Sequence, residues 1–189
     1  MSADRDAMDG LARDLPAHCL AETLVLGCGN DLLGDDGFGP ALVDRLLQEG
    51  LPGGVLALDT GMGVTRLLFD VALSPRRPRR LIVADAVRLG RTPGTVSLLP
   101  LDAIAEREVR AISAHQEPTS CLLKELGAVG GIEVWLLAVE PERMPEEVSP
   151  GLSPAVQAAL PVAGAALRRL LAEEAAGAGS GRGMQAEGG

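Results

Sequence analysis

Carboxylates and one imidazole recur in short glycine-flanked stretches, where acid–base or metal chemistry would need them. GCGNDLLGDDGFG at 27–39 carries Asp31, Asp35 and Asp36, and LDTGMG at 58–63 carries Asp59. VADAV at 83–87 holds Asp85, and SAHQEP at 113–118 holds His115, one of only two histidines. Two carboxylates and an imidazole make an incomplete shell for a divalent metal such as nickel or zinc, leaving positions for substrate or water. Other uses of these acids stay open. Asp35 or Asp36 before a helix would satisfy orphan amides and the helix dipole, and Asp85 at a strand end would accept loop hydrogen bonds. A proton-sharing aspartate pair requires Asp36 and Asp85 to approach closely.

Three competing chemistries fit poorly. A G-x-G-x-x-G nucleotide loop starting at Gly27 needs glycine at 32, where Leu32 stands, and Asp35 with Asp36 would repel a pyrophosphate. No G-x-S-x-G elbow exists for a serine hydrolase. Cys121 falls in a helical pattern whose apolar face includes Leu122 and Leu126, so a buried small hydrophobe is expected there. His18, in the N-terminal arm, is expected to be solvated.

The elements that must position these residues alternate. TLVLGC (23–28), VLALD (55–59) and LIVAD (81–85) are continuous apolar runs, as in strands covered on both faces, and TVSLLP (95–100) and EVWLLAV (133–139) are two more. Helical spacing follows at 38–47, with Gly39-Pro40 as its start, at 64–71, and at 122–129 before Gly130-Gly131. Ser153-Pro154 opens a last helical stretch to about 174, which Pro161 is expected to kink or split. The alternation predicts a three-layer αβα sandwich with a mostly parallel, about five-stranded sheet of phosphorylase/hydrolase-like type. In such sheets ligands bind beyond the carboxyl ends of the strands, where the aspartates and His115 fall.

Of 189 residues, 47% are hydrophobic but only 2% aromatic, so the core must be aliphatic. A domain of this size buries roughly 70% of its unfolded surface and needs no disulfide or metal to fold. With 17 Lys and Arg against 26 Asp and Glu, the net charge of −9 excludes a phosphate-backbone partner. The one basic cluster, Arg76, Arg77, Arg79 and Arg80, reads as a solvated loop entering a strand. Three cysteines without a CxxC pair suit a reducing compartment, and no run is apolar enough to span a bilayer, so a cytoplasmic protein is expected. Residues 1–21 read as a disordered arm, 22–174 as one domain, and 175–189 as a disordered Gly/Ala-rich tail.

The ordered series LVLGCGNDLLGDDGFG, LDTGMG, LIVADAV followed by PGTV, SAHQ, and VEPERMPEEVSPGLSP spans roughly residues 22–172. It resembles the hydrogenase maturation proteases, peptidases that trim the C-terminus of nickel–iron hydrogenase large subunits. The resemblance implies the αβα fold and places the family's metal and catalytic positions on Asp36, Asp85 and His115. Asp36 stands where relatives carry Glu or Asp. It further implies a nickel–iron hydrogenase large-subunit precursor as partner, with nickel supplied by that substrate and zinc or cadmium able to replace it in vitro. Cleavage would follow a basic or His residue just past the precursor's last metal-binding cysteines. The family is formally aspartic-type, and Asp35 and Asp59 stay open as a base. A monomer is expected, with neither nucleic acid nor membrane insertion. Two other readings are a non-catalytic nickel- or precursor-binding maturation factor and a nucleotide-binding α/β enzyme.

Overall fold

The computed structural model describes residues 15–104, 117–128 and 130–180. The five apolar runs form β1 (Thr23–Cys28), β2 (Val55–Gly61), β3 (Arg80–Ala86), β4 (Val96–Pro100) and β5 (Glu133–Val139). They make one sheet of order β2-β1-β3-β5-β4, antiparallel only between β4 and β5. All of β1 and all of β3 except Asp85 are buried, as strands covered on both faces must be. The expected αβα architecture with a mostly parallel five-stranded sheet is the one observed.

Helices α1 (Ala17–Leu20), α2 (Phe38–Glu49), α3 (Val64–Leu73), α4 (Glu117–Ala128) and α5 (Pro154–Ser180) cover the sheet. Side chains alternate across it. Leu24, Leu26, Leu81 and Val83 pack with α3 and α4, while Val25, Ile82 and Leu137 pack with α2 and α5. The chain leaves β1 through α2 on one face and leaves β2 through α3 on the other. With right-handed crossovers, that change of face goes with a change of direction, and β2 and β3 flank β1 on opposite sides. The crevice between the carboxyl ends of β1 and β3 is therefore the topological switch point, where open α/β sheets bind ligands.

Several expectations change. Pro161 neither ends nor divides α5, because it lies on the exposed side and the Gln157 carbonyl deprived of its donor is on that side too. The helix continues to Ser180 rather than stopping near 174; residues 181–189 lie outside the described residues. α5 is long and apolar enough to cross a membrane, yet its stripe from Val156 to Leu171 packs on the sheet. At the other end, Cys19 of α1 is 2% exposed in the core, so ordered packing begins before residue 22. His18 is mostly covered rather than solvated, with Nε2 3.6 Å from Asp70 Oδ2. Arg80 leaves the solvated basic cluster: it is buried, paired with Glu133 at 2.6 Å, and donates to the Leu170 carbonyl. Arg77 caps α3, donating to the Ala72 and Ser74 carbonyls. Cys121 is exposed, because α4 buries Leu123 and Leu126 and turns position 121 outward. Helix α2 starts at Phe38 with Gly37 as its cap, and Pro40 sits in the first turn, where no amide partner is needed.

The contact that sets α2 against the sheet is made by glycines. A Cβ on Gly39 would lie 2.2 Å from the Cys28 carbonyl oxygen and 2.6 Å from that of Ala84. One on Gly27 would lie 2.5 Å from the Gly39 carbonyl oxygen. The first turn of α2 thus touches the ends of both β1 and β3 through backbone alone. Gly39→Ala is expected to cost about 3 kcal/mol, since backbone atoms cannot swing aside. Gly164→Ala in α5 meets only the end of Arg168 at 3.6 Å and is expected to stabilise by about 0.5–1 kcal/mol. Urea unfolding of the two variants checks the opposite signs.

Candidate functional site

The loop after β1 turns sharply into a 3-10 turn, Gly34–Gly37, that carries both adjacent aspartates. Gly29, at φ +119, permits this; a Cβ there would sit 1.9 Å from the Asp36 carbonyl oxygen. The two acids then face different surroundings.

Asp35 is fully buried, with a relative exposure of 0%. Its Oδ2 accepts the backbone N–H groups of Glu142 and Arg143, both at 2.8 Å, and the Ser153 hydroxyl at 3.0 Å. Its Oδ1 accepts the Ser153 N–H at 2.6 Å. Burial alone would raise its pKa, but these hydrogen bonds outweigh it and hold the carboxyl below the ordinary range. Asp35 is a staple between the β1–α2 loop and residues 142–153, and with its oxygens occupied it does not serve as a base. Sequence reading missed its partner Ser153, although Ser153-Pro154 marked the start of α5, whose Val156 amide the same hydroxyl caps at 3.3 Å.

Asp36 is half-buried and accepts the Asn30 N–H at 2.8 Å through Oδ2. Asp85, on the neighbouring strand end, accepts the Ala86 N–H at 2.8 Å. Burial first, and then the charge of Asp36, push the Asp85 carboxyl up to about 8 against the single opposing hydrogen bond. The fold thus brings together the two acids that the sequence left far apart. Asp59, near the carboxyl end of β2, is exposed and accepts the Gly61 N–H at 2.9 Å. Of the two acids left open as a base, it alone reaches solvent.

Two further groups border the crevice. The β1–β2 ladder skips Thr60, pairing Gly27 with Asp59 and Cys28 with Gly61. The bulged Thr60 hydroxyl donates to the Gly27 carbonyl at 2.9 Å and lies 3.6 Å from Cys28 Sγ. Burial, then the charges of Asp85, Asp59 and Asp36, push the Cys28 thiol far up, so it stays neutral. A cavity of about 650 Å³ opens elsewhere, lined by Leu101, Ile104, Lys124 and Ile132 at the opposite edge of the sheet; none of these aspartates lines it.

His115 lies outside the described residues, in the connection between Ile104 and α4. Among the described residues no group of three His, Cys, Asp or Glu could hold a metal ion. Asp36 and Asp85 supply two oxygen donors whose full ionisation is unfavourable without a cation beside them. Two such oxygens could form part of the shell of a divalent ion, which would need further donors.

Two outcomes follow. Asp35→Ala strands buried amides and is expected to cost about 3 kcal/mol or more. Because its folded pKa is depressed, the Asp35 contribution is present above the ordinary carboxylate range and lost as pH falls through the lowered value. Asp85 works in the opposite sense: the folded chain keeps a proton that the unfolded chain releases at 3.8. Stability of the metal-free protein should therefore fall as pH rises from 3.8 to about 8. Urea midpoints across this range should show a flatter profile for Asp85→Asn.

Comparison with known proteins addresses the family and the fold. The HycI family, described as hydrogenase maturation protease, matches residues 40–169. The hydrogenase 2 maturation protease of Escherichia coli is 35% identical over 139 residues, covering 71% of this chain and 81% of that protein. The coenzyme F420 hydrogenase subunit delta of Methanothermobacter thermautotrophicus is 32% identical over 146 residues, covering 75% and 89%. Among solved structures, the hydrogenase maturating endopeptidase HybD from E. coli superposes with a TM-score of 0.63 at 32% identity, covering 81% of this chain and 93% of that one. Fold and sequence converge: this chain belongs to the hydrogenase maturation protease family.

Proposed function

We propose that this chain is an endopeptidase that removes the C-terminal extension of a nickel–iron hydrogenase large-subunit precursor once nickel has been inserted. The observation that supports it is the convergence of Asp36 and Asp85 at the switch point, close enough for one charge to raise the pKa of the other. Asp36, Asp85 and His115 would bind nickel that the precursor carries. The metal is thus part of the substrate, and zinc or cadmium would replace it in vitro.

Held there, the ion supplies Lewis acidity toward a carbonyl or a water. The protein supplies position and protons. The Asn30 amide fixes one oxygen of Asp36, and the Asp35 staple fixes the turn that bears it. Asp85 holds a proton at neutral pH and gives it up when a cation arrives, so an empty site is weakly anionic and a loaded precursor is favoured over its nickel-free form. Asp59, exposed at the same edge, would take a proton from an attacking water. The aspartates act in this scheme as ligands and base, the sense in which the aspartic-type label applies.

A second reading follows from the relative named as a hydrogenase subunit: a non-catalytic factor that binds nickel or the precursor. Intact mass of a nickel-loaded precursor before and after incubation separates the two. Loss of one discrete C-terminal peptide is expected, absent with nickel-free precursor and abolished by His115→Ala in a variant that unfolds at the wild-type temperature. A folded His115→Ala protein that processes at the normal rate would sink the assignment.

A further inference from the structure

Beside Asp36 the chain builds a second feature that ligand binding does not require. The segments 30–34 and 146–151 run as a parallel pair: Leu33 bridges Ser149, the Ser149 N–H donates to the Leu32 carbonyl at 2.8 Å, and the Gly34 N–H to the Ser149 carbonyl at 3.0 Å. Arg143 braces the pair, donating to Ser149 Oγ at 3.1 Å and the Gly151 carbonyl at 2.8 Å. Gly34 packs so closely that an added Cβ would meet Pro145 at 2.9 Å. Just past the first segment, Asp35 holds the chain on either side of the second, through the Glu142 and Ser153 amides. This is a preorganised surface rather than a loose loop.

Its outer side combines two properties. Leu32 and Val148, at adjoining positions of the pair, are 47% and 71% exposed. Around them Asp31, Glu142, Glu146 and Glu147 are exposed, and Arg143, the sole cation of 30–34 and 141–151, is spent on bracing. An apolar ridge with an acidic border, four residues from a proposed nickel ligand, fits an extended peptide with apolar side chains and positive charge.

We infer that the paired segments 30–34 and 146–151 are a docking rim for the hydrogenase precursor, engaging a basic, apolar stretch of its polypeptide apart from the nickel. The inference rests on the function proposed above. Main-chain bracing fixes the register of the rim relative to Asp36, so a precursor seated on it presents its metal at a set distance. The charges speed and orient encounter, and the Leu32–Val148 ridge slows release.

The test compares wild type, the Leu32→Ser/Val148→Ser protein and the Glu146→Gln/Glu147→Gln protein. Binding of purified nickel-loaded precursor is measured by interferometry alongside cleavage, with Ni²⁺ alone titrated as a control. The apolar double variant should bind precursor at least about tenfold more weakly and raise KM rather than lower kcat. The charge variant should lose most of the salt dependence of the association rate. Both should bind Ni²⁺ as wild type does and keep its unfolding temperature. Cleavage by wild type together with unchanged precursor affinity in both variants would overturn the rim and leave the peptidase standing. Binding without cleavage by wild type, weakened in the variants, would support the rim and overturn the peptidase. A wild-type protein that neither binds nor cleaves its precursor overturns both.

Discussion

The structure depends on how closely the first turn of α2 approaches the sheet. Side chains hold most helices about a nanometre from the layer beneath, but here Gly27 and Gly39 remove the spacer, and backbone meets backbone at the ends of β1 and β3. That contact places the Gly34–Gly37 turn over the switch-point crevice and delivers Asp36 to the side of Asp85. A larger residue at Gly39 would press on the Cys28 and Ala84 carbonyls, and one at Gly27 on the Gly39 carbonyl and on Val43 of the core.

Adjacent aspartates in such a turn repel each other and compete for the same amides. The chain resolves this by division. Asp35 turns inward to three backbone amides and a hydroxyl, with no cation in that hydrogen-bonded shell, so its charge is spread over donors that cannot move away. Asp36 turns outward with an oxygen anchored on Asn30. A buried ionised carboxylate is tolerated only when its donors are this complete. Those donors come from residues 142–153, which explains why the late segment rich in Pro and Glu belongs to the site at all. One acid fastens distant segments together and leaves its neighbour facing the crevice.

Asp85 shows the complementary condition. It lies where burial and a like charge both disfavour ionisation, and among the described residues one amide offsets them. Such a group is destabilising when ionised and is relieved by a cation, the reverse of Asp35. The two neighbouring acids of this chain thus carry opposite electrostatic costs, one settled by donors within the fold and the other left unsettled by it.

Much was legible in the sequence because it is written in local patterns. Apolar runs placed all five strands, most plainly β1 and β3, whose burial on both faces forbids alternation, and 3.6-residue spacing placed α2 to α5. The edge rule for open sheets then pointed to the residues after β1, β2 and β3. What remained hidden were relations between distant segments: the antiparallel β4 edge, the burial of Arg80 against Glu133, the exposure of Cys121 and the persistence of α5 through Pro161. Which of Asp35 and Asp36 faces the crevice was likewise invisible from spacing, because consecutive residues in a 3-10 turn diverge by about a third of a turn. Only the arrival of Ser153 and the Glu142–Arg143 amides, more than a hundred residues later, decided it. Composition and period determine elements, because those depend on neighbours in the chain; a site depends on neighbours in space.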